Sequence, residues 1–134
     1  MNKRFEVSSE GHLLLGGCDA VELTKTYGTP LYVMDEQKVR DAMRAYRTSM
    51  EKYYGGNGLI CYASKAFACK EMYRIANEEG LGVDVVSGGE LYTALSVGFP
   101  AEKIGFHGNN KLTTKSACFF KAFCFNVLFF KNNL

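Results

Sequence analysis

Residues 58–67, with the sequence GLICYASKAF, decide how the rest of the chain is interpreted. Residues 59–63 form a continuous apolar run, which predicts a strand that is buried on both faces. Lys65 follows at the point where such a strand should end. Because a lysine ammonium is a strongly hydrated charge, its place at the end of a hydrophobic element needs an explanation from the rest of the chain.

Turn residues divide the sequence before this stretch into short elements. The segment FEVSSEGHLLLGG predicts one or two short strands, residues 23–27 a short helix, and LYVMD at residues 31–35 a further strand. Asp35 is expected to cap a helix that ends at Gly55 and Gly56. The residues at helical spacing that should form its inner face are Val39, Ala42, Met43, Tyr46 and Met50.

The sequence after Lys65 alternates helices with strands. A helix ending at Gly80 precedes a strand in LGVDVV, and Ser87 with Glu90 has the spacing of a capping box for the next helix. Pro100 follows the end of that helix, and IGFHG predicts one more strand. The inner faces of the two helices are expected to be Met72, Ile75 and Ala76, and Leu91, Ala94 and Leu95.

This order of elements predicts an α/β fold. Short links between apolar strands and helices are typical of a parallel sheet with crossover helices. Right-handed crossovers would curl such a series into a barrel or extend it as an open, doubly wound sheet, and the pattern leaves both open.

Composition favours one ordinary domain in a reducing compartment. The chain has 134 residues, a net charge of +2 and a hydrophobic fraction of 47%, which gives no indication of a nucleic-acid partner. Five cysteines without CxxC spacing predict free thiols, each interpreted as a small buried hydrophobe. No apolar run has the roughly 20 residues of a membrane-spanning helix, so we expect a cytoplasmic protein without a membrane partner.

The last part of the chain has a different composition. No acidic residue follows Glu102, and six of the ten phenylalanines lie between Phe119 and Phe130 without a regular period. We interpret residues 112–134 as a divergent, poorly specified aromatic tail that is prone to aggregation. The alternative is a helix that binds a membrane surface or a partner.

Lysine chemistry gives two interpretations of Lys65. The carboxyl end of a parallel strand is where α/β proteins build their sites, and partial burial would make an amine nucleophilic enough to hold a carbonyl cofactor. The alternative is a lysine whose charge only reaches out from the strand end to water. Spacing alone favours the second interpretation.

Four blocks in register carry a family resemblance. YGTPLYVMDE, ICYASKAF, GLGVDVVSGGELYTAL and GFPAEKIGFHGNNK resemble the N-terminal part of the diaminopimelate decarboxylases, which are pyridoxal 5'-phosphate (PLP) enzymes with an alanine-racemase-type barrel. The resemblance covers residues 20–111, and SGGEL with FHGNNK favours this branch over ornithine decarboxylases and racemases. It implies a partial (β/α)8 barrel at residues 26–111, with residues 1–25 contributing a strand to a β-domain.

The resemblance also assigns site residues. Lys65 matches the lysine that holds PLP as a Schiff base, and Asp84 matches an aspartate near the cofactor. His107 lies at another strand end, where we weigh a cofactor contact equally against a core histidine. Ser87 to Gly89 could place backbone amides near an anion, but we favour helix capping for them. The implied reaction converts the amino acid meso-2,6-diaminopimelate to L-lysine and CO2 in an enzyme expected to be a homodimer.

The family pattern ends after Lys111, so we expect a truncated and inactive chain. Barrel strands, phosphate-binding and substrate-binding residues would lie in the missing part, and no cysteine here matches the catalytic one. Other hypotheses are a non-catalytic PLP-binding module, an interaction protein that uses its tail, and an ornithine- or arginine-type PLP decarboxylase.

Overall fold

A computed structural model describes residues 6–107 of the chain. The elements fall into two compact units, of which the first ends at Ala42 and the second begins at Met43. Within the described part, no helix is both long and apolar enough to cross a membrane. The strands are β1 (Glu6–Val7), β2 (Leu13–Leu15), β3 (Cys18–Asp19), β4 (Cys61–Ala63), β5 (Gly82–Val85) and β6 (Ile104–Phe106). The helices are α1 (Ala20–Tyr27), α2 (Glu36–Tyr54), α3 (Lys70–Glu78) and α4 (Gly88–Ser96).

The first unit is a small antiparallel sheet followed by a helix. The sheet has the order β1-β2-β3. It has two strands in the segment where one or two were predicted, and a third that the sequence pattern missed. Asp19 accepts hydrogen bonds from the N–H groups of Val21 and Glu22, at 2.8 and 3.3 Å. This N-cap starts α1 at Ala20, one turn before the predicted start at Leu23.

The predicted strand in LYVMD is wrong, whereas the cap that follows it is confirmed. Residues 31–35 are irregular, and no described strand pairs with them. Apolar and β-branched composition favours a strand only where a neighbouring strand supplies the hydrogen bonds. Asp35 accepts from the Lys38 N–H at 3.1 Å, and this hydrogen bond holds the pKa of Asp35 below its usual value.

The second unit contains the predicted parallel sheet, in the order β4-β5-β6. In register, Ala63 lies beside Asp84, and Asp84 lies beside Gly105. Helix α3 connects β4 to β5, and α4 connects β5 to β6, so the strand–helix alternation of an α/β fold is confirmed. Gly80, with φ of +79°, ends α3 in the left-handed conformation that glycine adopts without strain.

Strand β4 is not buried on both faces, in contrast to the prediction. Cys61 and Ala63 are exposed, and Leu59 before the strand is 48% exposed. The reason is topological, because β4 pairs with β5 on one side and with no other described strand. The prediction that the cysteines are buried is also wrong for Cys18 and Cys61, which are exposed. Cys118 and Cys124 lie outside the described residues.

Strand β5 has two different faces. Val83 and Val85 are fully buried, and α3 packs against this strand. Successive side chains of a strand point to opposite faces, so Gly82 and Asp84 lie on the other face. The hydrophobic core of the unit therefore lies on the valine side, and the side with Asp84 carries small and polar residues.

The predicted inner faces of the helices are buried to different extents. Met72, Ile75 and Ala76 of α3 are buried as expected, and so is Ala94 of α4, while Leu91 and Leu95 are half-buried. On α2 only Met43 is buried, and the predicted Ala42 and Tyr46 are exposed. Helical spacing identifies residues that share a face, but it does not determine how much of that face is covered.

An ion pair between the exposed Arg44 and the buried Glu79 joins α2 to the end of α3. The Arg44 Nε and a terminal guanidinium nitrogen donate to the two carboxylate oxygens of Glu79, both at 2.7 Å, and Glu79 is buried. Arg47 donates to the backbone carbonyl of Glu79 at 2.9 Å. Because a helix C-terminus carries partial negative charge, two arginines at this position stabilise the end of α3.

We expect Arg44→Ala to lower the free energy of unfolding by about 2–3 kcal/mol, because it removes a bidentate bond and leaves a buried carboxylate less well paired. Arg74→Ala is the matched control, since Arg74 pairs with exposed Glu71 at 2.9 Å. The control should cost less than about 0.5 kcal/mol. Urea denaturation of both variants measures the difference, and equal costs would contradict the prediction.

Candidate active site

The three predicted site residues lie at the carboxyl end of the parallel sheet. Asp84 is in β5, His107 directly follows β6, and Lys65 is two residues beyond the end of β4. The His107 N–H donates to the carbonyl of Val85 at 2.9 Å, so His107 remains beside β5 after β6 ends. Strand register therefore gathers residues from three separate sequence blocks at one end of the sheet.

Asp84 and His107 form a direct pair. The His107 Nδ1 lies 2.5 Å from the Asp84 Oδ1, with side chains that are 41% and 29% exposed. A carboxylate accepts a hydrogen bond from Nδ1–H, which fixes the orientation of the imidazole ring. The pair is thus a part-buried polar group on the small-residue face of the sheet.

Lys65 lies in a 3₁₀ turn, Ser64–Ala66, and not in the strand itself. Two hydrogen bonds brace this turn at 3.1 Å, from the Phe67 N–H to the Ser64 carbonyl and from the Tyr62 hydroxyl to the Phe67 carbonyl. Lys65 itself is exposed. The partial burial that the sequence suggested as a source of nucleophilicity is therefore not observed.

The sequence analysis missed a polar contact made by Ser64, the residue before Lys65. Ser64 is fully buried, and its hydroxyl lies 2.7 Å from the Asp84 carbonyl and 2.8 Å from the Glu90 Oε2. The same Glu90 oxygen accepts from the Val86 N–H at 2.7 Å. The only signal in the sequence was a serine that precedes the lysine, and the glutamate was assigned to a capping box.

That capping box is only half confirmed. The Ser87 hydroxyl accepts from the Glu90 N–H at 3.2 Å, so Ser87 is the N-cap of α4 as predicted. The Glu90 carboxylate does not make the expected reciprocal bond to the Ser87 N–H, because it accepts from Val86 and Ser64. Glu90 therefore bonds to two segments outside its own helix.

Residues 36–117 match the family model described as "Pyridoxal-dependent decarboxylase, pyridoxal binding domain". Diaminopimelate decarboxylase from Bacillus methanolicus is 52% identical over 106 residues, which cover 79% of this chain and 24% of that protein. The enzyme of the same name from Methanothermobacter thermautotrophicus is 49% identical over 107 residues, with the same two coverages.

Solved structures give the same result. The crystal structure of a diaminopimelate decarboxylase from M. jannaschii in complex with L-lysine superposes with a TM-score of 0.70 and 38% sequence identity. The match covers 84% of this chain and 26% of that one. This chain thus spans about a quarter of the length of the relatives that it matches. It belongs to the family of pyridoxal-dependent decarboxylases, and residues 36–117 match their pyridoxal-binding domain.

Proposed function

We propose that this chain supplies the lysine-bearing part of a PLP site in a diaminopimelate decarboxylase. The observation that carries the proposal is the position of Lys65, two residues after the end of a parallel strand and at the same end of the sheet as the Asp84–His107 pair. In the whole enzyme the proposed reaction converts meso-2,6-diaminopimelate to L-lysine and CO2. When bound, PLP supplies an electron sink for the negative charge left on the substrate carbon as CO2 departs.

The chemistry of the described residues fits this cofactor. An aldehyde needs an accessible primary amine, and Lys65 is exposed on a turn that hydrogen bonds hold in place. On the face of the sheet that carries Asp84, the residue beside it in β6 is Gly105, which has no side chain to fill the space that a planar ring would occupy. The valine face is filled by the core and leaves no such space.

Each of the three residues has a distinct proposed role. The Lys65 amine holds the cofactor covalently. The Asp84 carboxylate orients the His107 ring through Nδ1, and the imidazole contacts the cofactor from the neighbouring strand end. This arrangement supports the proposal that Lys65, Asp84 and His107 are cofactor-binding residues.

The proposed architecture follows the same family pattern. Strands β4 to β6 with α3 and α4 would be part of a (β/α)8 barrel at residues 26–111, and residues 1–25 would contribute a strand region to a β-domain. We propose a homodimer for the whole enzyme. The predicted aromatic tail at residues 112–134 lies outside the described residues.

Trapping with borohydride tests the proposal on the full chain. Incubation with PLP lets the Lys65 nitrogen bond to the aldehyde carbon while the aldehyde oxygen leaves as water, and borohydride then adds hydride to give a stable secondary amine. Digestion and mass spectrometry should locate a selective adduct on Lys65, with little on exposed Lys70 or on Lys103 before β6. Equal labelling of the three lysines would contradict the proposal.

A further inference from the structure

Three segments of the second unit meet at one buried hydroxyl. Ser64, at the start of the turn that carries Lys65, contacts the backbone carbonyl of Asp84 in β5 and the carboxylate of Glu90 in α4. The Glu90 oxygen also accepts from Val86 in the loop that joins β5 to α4. The hydroxyl has one proton, so the two acceptors share it.

Helix capping does not account for this arrangement. Ser87 caps α4 without the side chain of Glu90, which would return to the Ser87 N–H in a reciprocal capping box. The carboxylate instead reaches a serine 26 positions earlier in the chain. Holding a carboxylate against a fully buried hydroxyl costs desolvation, which is offset here by two short hydrogen bonds.

The contact between Ser64 and Glu90 is made by the residue that directly precedes the proposed cofactor lysine. Ser64 is fully buried, while the next residue, Lys65, is exposed. Fixing Ser64 therefore fixes where the backbone of Lys65 leaves the sheet. The bond from Ser64 to the Asp84 carbonyl sets that point relative to the strand that carries the Asp84 side chain.

We infer that Glu90 is a positioning residue for Lys65, acting through hydrogen bonds to Ser64 and Val86 that hold the lysine-bearing turn against β5. This inference rests on the proposed function of Lys65. Since one oxygen of Glu90 receives both bonds, an amide oxygen can occupy the same position. Glutamine should therefore replace Glu90, whereas alanine should not.

The first test compares the rates at which PLP labels Lys65 in the full chain. Glu90→Ala should slow adduct formation about tenfold, because the turn loses the bond from Ser64 to Glu90 and the neighbouring loop loses the bond from Val86. Glu90→Gln should stay within about twofold of the unmodified chain. Glu71→Ala is the control, as Glu71 is an exposed first-turn glutamate of α3. Normal labelling in Glu90→Ala, or equal slowing in alanine and glutamine variants, would overturn the inference.

The second test needs no cofactor. Amide hydrogen exchange should become about tenfold faster at Val86 and in the Ser64–Phe67 turn of Glu90→Ala, and unchanged in Glu90→Gln. If the unmodified chain gives no selective adduct on Lys65, the proposed function fails, and exchange alone decides the positioning role. Unchanged exchange in Glu90→Ala would overturn it.

A second variant, Ser64→Ala, tests the inference if Glu90→Ala does not fold. Ser64→Ala removes the shared hydroxyl but leaves the bond between Val86 and Glu90. It should slow labelling of Lys65 and speed exchange in the turn, with Val86 unaffected. A turn that exchanges as in the unmodified chain would count against the inference.

Discussion

Replacing Gly82 with alanine is expected to lower the free energy of unfolding by about 3 kcal/mol, because β5 has no space for a methyl group at this position. A Cβ there would lie 2.7 Å from the backbone oxygen of Lys103, 2.8 Å from Leu59 and 2.9 Å from the Cys61 sulfur. The two side chains can turn away. The Lys103 oxygen belongs to the backbone that enters β6, so it moves only if the pairing of β5 with β6 moves.

Gly88 provides the matched control for this substitution. A Cβ at Gly88, the first residue of α4, would meet no atom within 4 Å. Gly88→Ala should leave stability unchanged or raise it by up to about 1 kcal/mol, since alanine is the better helix former. Urea denaturation of both variants gives the comparison. A small effect of Gly82→Ala would contradict the prediction, because it would mean that β5 can accept a methyl group at this position.

Changing Lys65 should produce the largest functional effect. Lys65→Ala removes the amine, and Lys65→Arg keeps a positive charge on a group that stays protonated and is not a nucleophile toward an aldehyde. Both variants should lose at least about a hundredfold of the selective PLP adduct in the peptide that contains residue 65. Loss of the adduct in both variants would show that the reaction needs the amine of Lys65 and not only its positive charge.

Lys70→Arg is the control for these variants. Lys70 is exposed at the first turn of α3, five positions after Lys65, so its replacement tests whether any nearby lysine competes for the aldehyde. The adduct at Lys65 should be unaffected. An adduct that moves to Lys70 in Lys65→Ala with the same yield would argue that the labelling is not directed by the site.

Elements whose cues are local were predictable from the sequence. Asp35 and Ser87 cap helices through their own side chains, and Gly80 ends α3 through its own backbone, so each cue lies within a few residues of its effect. The strand in LGVDVV was also predicted, because β5 is central and its valines are buried in the core. For β5, the apolar composition of the segment agrees with the burial of its valines in the structure.

Predictions failed where the outcome depends on distant residues. The apolar run at residues 59–63 predicted two buried faces, yet β4 is paired on one side only among the described strands. LYVMD has strand composition without a described partner strand. The contact between Ser64 and Glu90 joins positions 26 apart, and neither residue has a local pattern that indicates the other. Such pairs become visible only once the sheet register is known.

The site could be predicted in part for the same reason. Strand ends are local features, so Lys65 and His107 could be assigned to one edge of a parallel sheet before the structure was known. The 2.5 Å contact between His107 and Asp84 depends on the register of β5 with β6, which no motif specifies.

The two faces of β5 limit how this part of the chain can vary in length. With Val83 and Val85 against the core and Asp84 on the opposite face, inserting or deleting one residue within the strand would turn the carboxylate inward and a valine outward. A substitution alters one side chain, whereas a change of length moves every following side chain of the strand to the opposite face of the sheet. In β5, the identity of a residue can therefore change far more easily than the number of residues.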